Sequence, residues 1–391
     1  MKNEDQPAML LLGVGGGGCR LAASVRAACG AGMRAVGADT DALANRQAAA
    51  GGMTCLLLGG SRLAGHGTGG DAIQGRLAAQ DDMQNLQSQM KGVRTVVVVA
   101  CLGGGTGGGA TPEIVKALGE MGIATICFAT MPFSFEGQAR RKEAERVLPI
   151  IEESADSLVV VPLDDLFKDA GDDLLLDNAV TLAEGIIAAG MTLLWRLLSK
   201  PGFISVDPER LHTMVLRGGN ALFGCGSAGG EDRAVKAVEA LRGCRLLRSG
   251  AALTRANALL LGILAGSDLR LAEVGAVMRE VHKACKPGCH VEMGTVLDPF
   301  YEGRVELVAL AFESWTAAAL AVPQAAAAAE PPQDDIVPVR AGGRKVRSKS
   351  ASKLSFGATG RGKFKGVEPT LHNNHDLDVP TFMRRGIRLE R

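Results

Sequence analysis

Short apolar runs, separated by glycine-rich loops and by stretches of mixed polarity, fill the first part of the chain. The clearest runs are 9–14 (MLLLGV) and 95–102 (TVVVVACL). Runs this short that are apolar on both faces are typical of strands buried in a parallel sheet. Stretches with the length of helices lie between them, which predicts a doubly wound, Rossmann-like α/β sheet. We predict further strands at 33–38, 54–58, 124–129 and 157–162, and helices at 19–30, 72 to about 90, and 110–121.

The stretch 174–200 is long and apolar, and it divides the chain. Before its terminal lysine it carries charge only at Asp177, Glu184 and Arg196. A helix that is apolar on nearly every face is buried. We therefore predict a central helix that joins the first domain to a second, smaller α/β domain. In that domain we expect a loop at 204–210 and strands at 221–226, 256–265 and 305–312.

The composition of the chain changes at about Ser314. Residues 317–335 are rich in Ala, Pro and Gln, and 340–365 hold nine Lys and Arg and no acid. This predicts a disordered linker. The predicted divisions are a flexible N-terminus (1–8), a first domain (9–173), the central helix (174–200), a C-terminal domain (201–313), the linker (314–374) and a terminal peptide (375–391).

Charge and cysteine content narrow the class of protein. The net charge of +1 gives no global field for nucleic acid, and one Tyr with two Trp argues against an aromatic base-stacking platform. The N-terminus does not resemble a signal peptide, and the uncharged run 185–195 is too short to cross a bilayer. Nine cysteines without a secretion signal suggest reduced thiols. We expect a cytoplasmic protein.

Three glycine-rich loops, 13–18, 59–71 and 103–109, follow predicted strands. In parallel α/β sheets ligands bind at the carboxyl ends of the strands. Glycines let the backbone approach an anion, and the N–H groups and dipole of a helix N-terminus favour phosphate. A flexible surface loop is the alternative, but six glycines around Thr106 weaken a fold unless a ligand needs the bare backbone.

The first loop also fits a dinucleotide-binding fingerprint. Gly13, Gly15 and Gly18 match G-x-G-x-x-G, and Asp39 lies 21 residues past Gly18. A Rossmann-type oxidoreductase is therefore one hypothesis. Two glycine loops at adjacent strand ends fit one nucleoside triphosphate better. No G-x-x-x-x-G-K-[ST] occurs, so backbone N–H groups, a metal ion or an arginine must meet the phosphate charge.

The glycine loop 103–109 and several later segments resemble a known family. GGGTGGG (103–109) resembles the tubulin signature GGGTGTG. TMPFSFEG (130–137), GSAGGEDR (226–233), DLRL (268–271) and GTVLDP (294–299) resemble, in the same order, segments of FtsZ, the bacterial tubulin-like cell-division GTPase family. DLDVPTFMRR, from Asp376 to Arg385, resembles the family's C-terminal docking peptide. The resemblance implies a tubulin-like GTPase fold.

This resemblance implies a site for GTP or GDP with Mg²⁺. Glu184 aligns with the residue that reads guanine, and a carboxylate can accept from the N1–H and N2 amine together. Glu184 could instead pair with a protein side chain, and Glu136 with Arg140 could be an i, i+4 surface ion pair. The implied nucleotide contacts are Gly15, Gly16, Gly17, Gly18, Cys19, Arg20, Gly104, Gly105, Thr106, Gly107, Glu136, Arg140 and Glu184.

The resemblance also implies hydrolysis between two subunits of a head-to-tail filament at the division site. The loop 202–210 (GFISVDPER) of one subunit would reach the γ-phosphate of its neighbour. Asp207 matches the first catalytic acid, although Asp before Pro208 is also a good helix N-cap. The second acid is replaced by Arg210, and our hypothesis is that Glu209 substitutes partly for it.

Several positions depart from the family pattern. We expect altered GTP affinity and slow hydrolysis, and a structural or regulatory filament protein with little hydrolysis is the alternative function. A Rossmann-type oxidoreductase would instead bind nicotinamide or flavin. The departures are Cys19, Arg20, Asp39, Gly108, Val180, Ser205 and Arg210.

Two further segments suggest ligands or partners. His282, Cys285, Cys289 and His290 have a spacing that could bind zinc, although their side chains need not converge, and we assign no metal ligand. The terminal peptide would lay apolar anchors in a groove of a membrane-tethered division protein. The basic linker 340–365 is either a solvated spacer or a weak binder of anionic membrane or nucleic acid.

Overall fold

The computed structural model describes residues 9–30, 32–166, 175–199, 204, 207–216, 218–315, 371–372 and 375–376. The predicted flexible N-terminus, the basic linker 340–365, Ser205 and the side chain of Val180 lie outside these residues. The same holds for the predicted docking peptide except Asp376.

Within the described residues up to Trp315, the strands form one ten-stranded sheet in the order β3-β2-β1-β4-β5-β6-β7-β10-β8-β9. β1 to β6 are all parallel, as predicted for a doubly wound fold. The second half is mixed, because β10 runs antiparallel to both β7 and β8. The strands are β1 (Met9–Val14), β2 (Arg34–Asp39), β3 (Thr54–Leu57), β4 (Thr95–Cys101), β5 (Ala124–Met131), β6 (Ser157–Pro162), β7 (Gly219–Gly229), β8 (Ala258–Ala265), β9 (His290–Leu297) and β10 (Arg304–Phe312).

A second unit, formed by residues 325–391, contributes a short antiparallel pair. Its strands are β11 (Leu371–His372) and β12 (His375–Asp376).

Helices cover both faces of the long sheet. The helices are α1 (Gly15–Cys29), α2 (Ala42–Ala50), α3 (Gly60–Leu63), α4 (Ala72–Asp81), α5 (Met83–Gln89), α6 (Gly105–Glu120), α7 (Gln138–Ser154), α8 (Leu163–Leu166), α9 (Leu176–Ser199), α10 (Pro208–Leu216), α11 (Arg233–Gly243), α12 (Ala251–Arg255) and α13 (Leu271–Ala284). Short 3₁₀ turns lie at Ser134–Glu136, Arg245–Leu247 and Pro299–Tyr301.

Three predicted helix boundaries are wrong. α1 and α6 begin inside their glycine loops, at Gly15 and Gly105, several residues earlier than predicted. The segment predicted as one helix from 72 to about 90 is broken at Asp82, whose carboxylate accepts hydrogen bonds from the Gly59 N–H and the Asn85 side chain. The early starts place helix N-terminal N–H groups within the glycine loops themselves.

The central helix α9 is present, but the prediction that it is buried all round is wrong. Ala183, Ile187 and Met191 are buried at four-residue spacing, whereas Leu182 is 52% exposed. Residues four apart lie on one face of a helix, so α9 has a buried stripe and an open side. Gly190 lets α9 press against the sheet, because a Cβ there would lie 2.2 Å from the ring of Phe223.

The core continues between the two halves of the sheet. β6 pairs in parallel with β7, with Ser157 opposite Gly219. The rings of Phe128 and Phe223 meet edge to face at 6.1 Å. The amino and carboxyl ends of the parallel strands thus form two opposite edges of one packed body, and both edges carry predicted functional residues.

Candidate nucleotide-binding site

A cleft of about 710 Å³ opens at the carboxyl ends of β1, β2, β4 and β5. All three glycine loops contribute to its wall, as expected for ligand binding at this edge of a parallel sheet. The volume lies within the range of small-molecule sites. The predicted contacts that line it are Gly15, Gly16, Gly17, Arg20, Gly104, Gly105, Thr106, Gly107, Glu136, Arg140 and Glu184.

Gly18 and Cys19 do not line the cleft. A Cβ on Gly18 would lie 2.3 Å from the carbonyl oxygen of Val99, so this glycine lets α1 lie close against β4. The buried Cys19 thiol donates to the carbonyl oxygen of Gly13, and desolvation raises its pKa. The structure therefore places these two residues in the packing beneath the loop.

The glycine loop 103–109 presents the start of α6 to the cleft. Gly104 is its extended N-cap, and Gly103 adopts φ +89°, which disfavours other residues. The first N–H groups of a helix lack intrahelical partners. A hydrogen bond of 2.7 Å joins the Thr106 and Thr40 hydroxyls and ties this loop to the end of β2. This edge of the cleft is built to receive an anion.

Asp39 is a cleft residue that was noted in the sequence only as part of the fingerprint and as a departure. It is 3% exposed and accepts a 2.7 Å hydrogen bond from the Thr40 N–H. Desolvation raises its pKa. Other residues that line the cleft had no predicted role, although several of them lie in the segments 59–71 and 130–137 that the sequence singles out. They are Thr40, Asp41, His66, Gly67, Thr68, Thr130, Pro132, Phe133 and Phe135.

Arg20 and Glu184 form an ion pair across the cleft, with Nε and Oε1 2.5 Å apart. The alternative considered for Glu184, a protein partner, therefore occurs in the free chain. Because both residues line the cleft, the pair also stands where a base could meet it. The contact uses Oε1 of Glu184, and Oε2 takes no part in it.

Glu136 and Arg140 form a second pair on the cleft wall. Arg140 Nη1 lies 2.5 Å from Glu136 Oε2, and the Phe133 N–H donates to Glu136 Oε1. The i, i+4 pairing therefore exists and coincides with a position lining the cleft. Among the described residues, the two arginines that line the cleft are thus each paired with a carboxylate that lines it too.

Asp207 and Glu209 lie at the other edge of the sheet. Asp207 Oδ1 accepts from the Glu209 N–H at 2.9 Å, so Asp207 caps α10 as the alternative interpretation required. Glu209 binds both terminal nitrogens of Arg94 at 2.5 and 3.0 Å, and that guanidinium lowers the pKa of Glu209. The loop predicted at 204–210 is shorter, because α10 already begins at Pro208.

The separation between the two edges follows from β4. Arg94 immediately precedes Thr95, the first residue of β4, whereas the glycine loop follows its last residue, Cys101. At about 3.3 Å per residue, this strand spans roughly 20 Å. Asp207 and Glu209 therefore lie far from the cleft of their own chain.

Arg210 is exposed beside Asp207. Its Nη1 donates to Glu292 Oε1 at 3.1 Å, and the same oxygen lies 3.0 Å from Nε2 of His290. The His290 ring stacks on Trp315 at 5.1 Å. Position 210 therefore carries a cation that is anchored to β9 through Glu292.

The histidine and cysteine segment of residues 282–290 does not form a metal centre in the described part of the chain. No group of three His, Cys, Asp or Glu side chains converges there. Nor does any described helix have the length and hydropathy to cross a membrane.

Comparison with known proteins identifies the class. The model of the Tubulin/FtsZ family GTPase domain matches residues 8–171, which include most of the cleft. The fold and cleft are those of a tubulin-like GTPase. The model of the FtsZ family C-terminal domain matches residues 219–313, and the cell division protein FtsZ of Pseudomonas putida is 34% identical over 295 residues, 75% of this chain and 73% of that relative. The chain therefore belongs to the FtsZ family.

Solved structures support the same fold. An FtsZ dimer of M. jannaschii aligns with TM-score 0.73 and 27% identity, covering 78% of this chain and 87% of that one. The CetZ2 protofilament of Haloferax volcanii, with GTPγS bound, aligns with TM-score 0.64 and 24% identity, covering 78% and 92%. The tubulin-like fold and the family membership predicted from the sequence are confirmed.

Proposed function

We propose that this chain binds GTP in its cleft and hydrolyses it within head-to-tail filaments of the cell-division ring. The observation that carries the proposal is the position of Asp207 at the opposite edge of the sheet from the cleft. A single chain holds two half-sites that cannot meet. Stacking one subunit on the next, cleft to α10, would bring one half of each together.

GTP would be held mainly by backbone groups. The N–H groups at the starts of α1 and α6 would bind the phosphates, and Glu184 would accept from the N1–H and N2 amine of guanine. Mg²⁺ fits this cleft, because the Asp39 and Asp41 carboxylates and the Thr40 hydroxyl are hard oxygen donors that line it. The ion would be shared with the phosphates and would neutralise part of their charge.

Hydrolysis would depend on Asp207 of the neighbouring subunit. Its carboxylate would orient the water that attacks the γ-phosphate. Glu209 could support Asp207 only after leaving Arg94, so we expect it to contribute less. Unchanged turnover in assembled Glu209→Ala filaments would remove that supporting role.

The second candidate function is a filament that binds nucleotide but hardly hydrolyses it. The arrangement at α10 favours it: Arg210 stands in place of the second acid, and Glu209 is held in an ion pair. In either case the proposed place of action is the cytoplasmic side of the division site. Residues 376–385 would dock on a membrane-tethering division protein, and 340–365 would act as a spacer or a weak binder of anionic surfaces.

Mixing two impaired variants, at a GTP concentration too low to saturate Glu184→Ala, tests whether the GTPase site is shared. Asp207→Asn keeps an intact cleft, and Glu184→Ala keeps an intact α10. We expect the GTP turnover of the mixture to exceed the sum of the turnovers of the separate variants, because some subunit junctions would combine both intact halves.

The wild-type chain should hydrolyse GTP only above the protein concentration at which light scattering rises. Turnover that is linear in concentration without scattering would contradict a shared site.

Glu184→Ala should weaken GTP binding by about 10- to 100-fold and leave ATP binding unchanged, since a lost hydrogen bond to a charged group costs about 1.5–3 kcal/mol. Arg20→Ala is the matched variant, because it breaks the same ion pair but keeps the carboxylate. Titration with fluorescent GTP and ATP analogues measures both. If Arg20→Ala weakened GTP binding equally while Glu184→Ala changed GTP and ATP alike, Glu184 would be only an ion-pair partner.

A further inference from the structure

We propose that Arg210 is a catalytic residue that acts in trans, as an arginine finger on the γ-phosphate held by the neighbouring subunit. This inference rests on the shared site proposed above and adds a positive group to it. Arg210 would then be a functional replacement at the second acid's position. Three observations support it: the charge of the cleft, the exposure of Arg210, and the engagement of its neighbours.

The cleft is short of positive charge for a triphosphate. Among the described residues that line it, the two arginines Arg20 and Arg140 face four carboxylates, Asp39, Asp41, Glu136 and Glu184. Each of these arginines is ion-paired with one of the carboxylates. In the transition state of hydrolysis the negative charge is redistributed over the oxygens of the transferred phosphoryl group and the leaving oxygen, where a cation can stabilise it. A bound Mg²⁺ supplies part of the missing charge, and the neighbouring subunit is a source for more.

Arg210 is placed to supply that charge. It lies three residues after Asp207, in the first turn of α10, so the two side chains are neighbours on the helix surface. Its side chain is 60% exposed, and its ion pair with Glu292 engages Nη1. A guanidinium has five N–H donors. The remaining nitrogens are available to a phosphate that docks against this end of α10.

The charged residues near Arg210 already have partners of their own. Arg94 uses both terminal nitrogens to hold Glu209, so this pair braces the start of α10 against β4. Glu292 is 13% exposed at its side chain, with its Oε1 shared between Arg210 and His290. Glu292 thus holds one terminal nitrogen of the Arg210 guanidinium, Nη1, while Nη2 and Nε take no part in that ion pair.

The chemical step is ordinary phosphoryl transfer to water. The water oxygen held by Asp207 forms a bond to the γ-phosphorus, and the bond from that phosphorus to the β–γ bridging oxygen breaks. The electron pair of the broken bond stays on GDP, and both protons of the water leave with inorganic phosphate. Arg210 donates to the phosphate oxygens as their charge shifts, and such fingers raise kcat by about 10³- to 10⁵-fold.

The test compares Arg210→Ala, Arg210→Lys and Arg210→Asp with Arg279→Ala, an exposed arginine on α13 outside the site. We expect Arg210→Ala to lower turnover in filaments by at least about 100-fold. GTP affinity and the critical concentration for assembly should remain within about 2-fold of wild type, because the cleft is unchanged. Arg210→Lys should keep part of the activity, and Arg279→Ala all of it.

A second readout does not depend on turnover. GDP with aluminium fluoride imitates the transferred phosphoryl group, so wild-type filaments should retain it and Arg210→Ala filaments should lose it. Mixing Arg210→Ala with Glu184→Ala should restore both signals. If Arg210→Asp hydrolysed GTP as fast as wild type or faster, Arg210 would be an inhibitory replacement and the inference would be wrong. Wild-type filaments without turnover would instead overturn the proposed GTPase function.

Discussion

Gly107→Ala is expected to abolish nucleotide binding. A Cβ at this position would lie 2.3 Å from the carbonyl oxygen of Cys101, which is backbone at the end of β4 and has little freedom to move. Relief of the clash requires the first turn of α6 to shift away from the strand. The N–H groups of that turn are the ones that face the cleft, so we expect GTP affinity to fall by at least about 100-fold, in line with several lost hydrogen bonds.

Gly108→Ala is the matched control. It lies one residue further along the same helix, and a Cβ there would meet no heavy atom nearer than 3.9 Å. Alanine also favours the helix over glycine by about 1 kcal/mol. We expect wild-type GTP affinity and an equal or higher melting temperature. Titration with a fluorescent GTP analogue, with circular dichroism as the check on folding, separates the two variants; equal affinities for both would mean that the loop does not bind the phosphates.

Asp207→Asn should lower GTP turnover in filaments by about 10²- to 10⁴-fold, the usual contribution of a positioned acid or base. The asparagine oxygen can still accept from the Glu209 N–H, and Asn is as good an N-cap as Asp. The substitution therefore removes the charge proposed to orient water while it keeps the helix start. GTP affinity should not change, because Asp207 lies about 20 Å or more from the cleft of its own chain.

Asp207→Ala provides the comparison, because it removes both the charge and the cap. We expect similar loss of turnover in the two variants, with lower stability only in Asp207→Ala, by about 1 kcal/mol. Turnover is measured as phosphate release at matched filament mass, and stability by urea unfolding. Normal turnover in Asp207→Asn, together with impaired turnover in Asp207→Ala, would assign Asp207 to capping alone.

The glycine pattern was enough to locate the cleft, because bare backbone at strand ends has few other uses. The same pattern could not separate glycines that face a ligand from those that permit packing. Gly104 lines the cleft and has no heavy atom within 4 Å of the place a Cβ would take, whereas a Cβ on Gly18 would lie 2.3 Å from the carbonyl oxygen of Val99. That difference depends on how closely neighbouring backbone packs at each position, which only the packed structure defines.

The sequence could not predict contacts between residues that are far apart along the chain. Arg94 and Glu209 are 115 positions apart, and Arg20 and Glu184 are 164 apart. Each chain segment offers several charged residues of either sign, and nothing in the local pattern selects the partner. The burial of Asp39 could not be predicted either, because an acidic residue at the end of a strand is usually exposed to solvent.

The alignment of both half-sites along β4 has a consequence for assembly. In a head-to-tail filament every copy of β4 would point in the same direction, so the two tips would be chemically unlike. One tip would expose an open cleft that no partner's Asp207 or Arg210 can reach. Its GTP would remain intact and free to exchange with solution. The opposite tip would carry a bare α10 and a covered nucleotide, so growth and loss of subunits would proceed at different rates at the two tips.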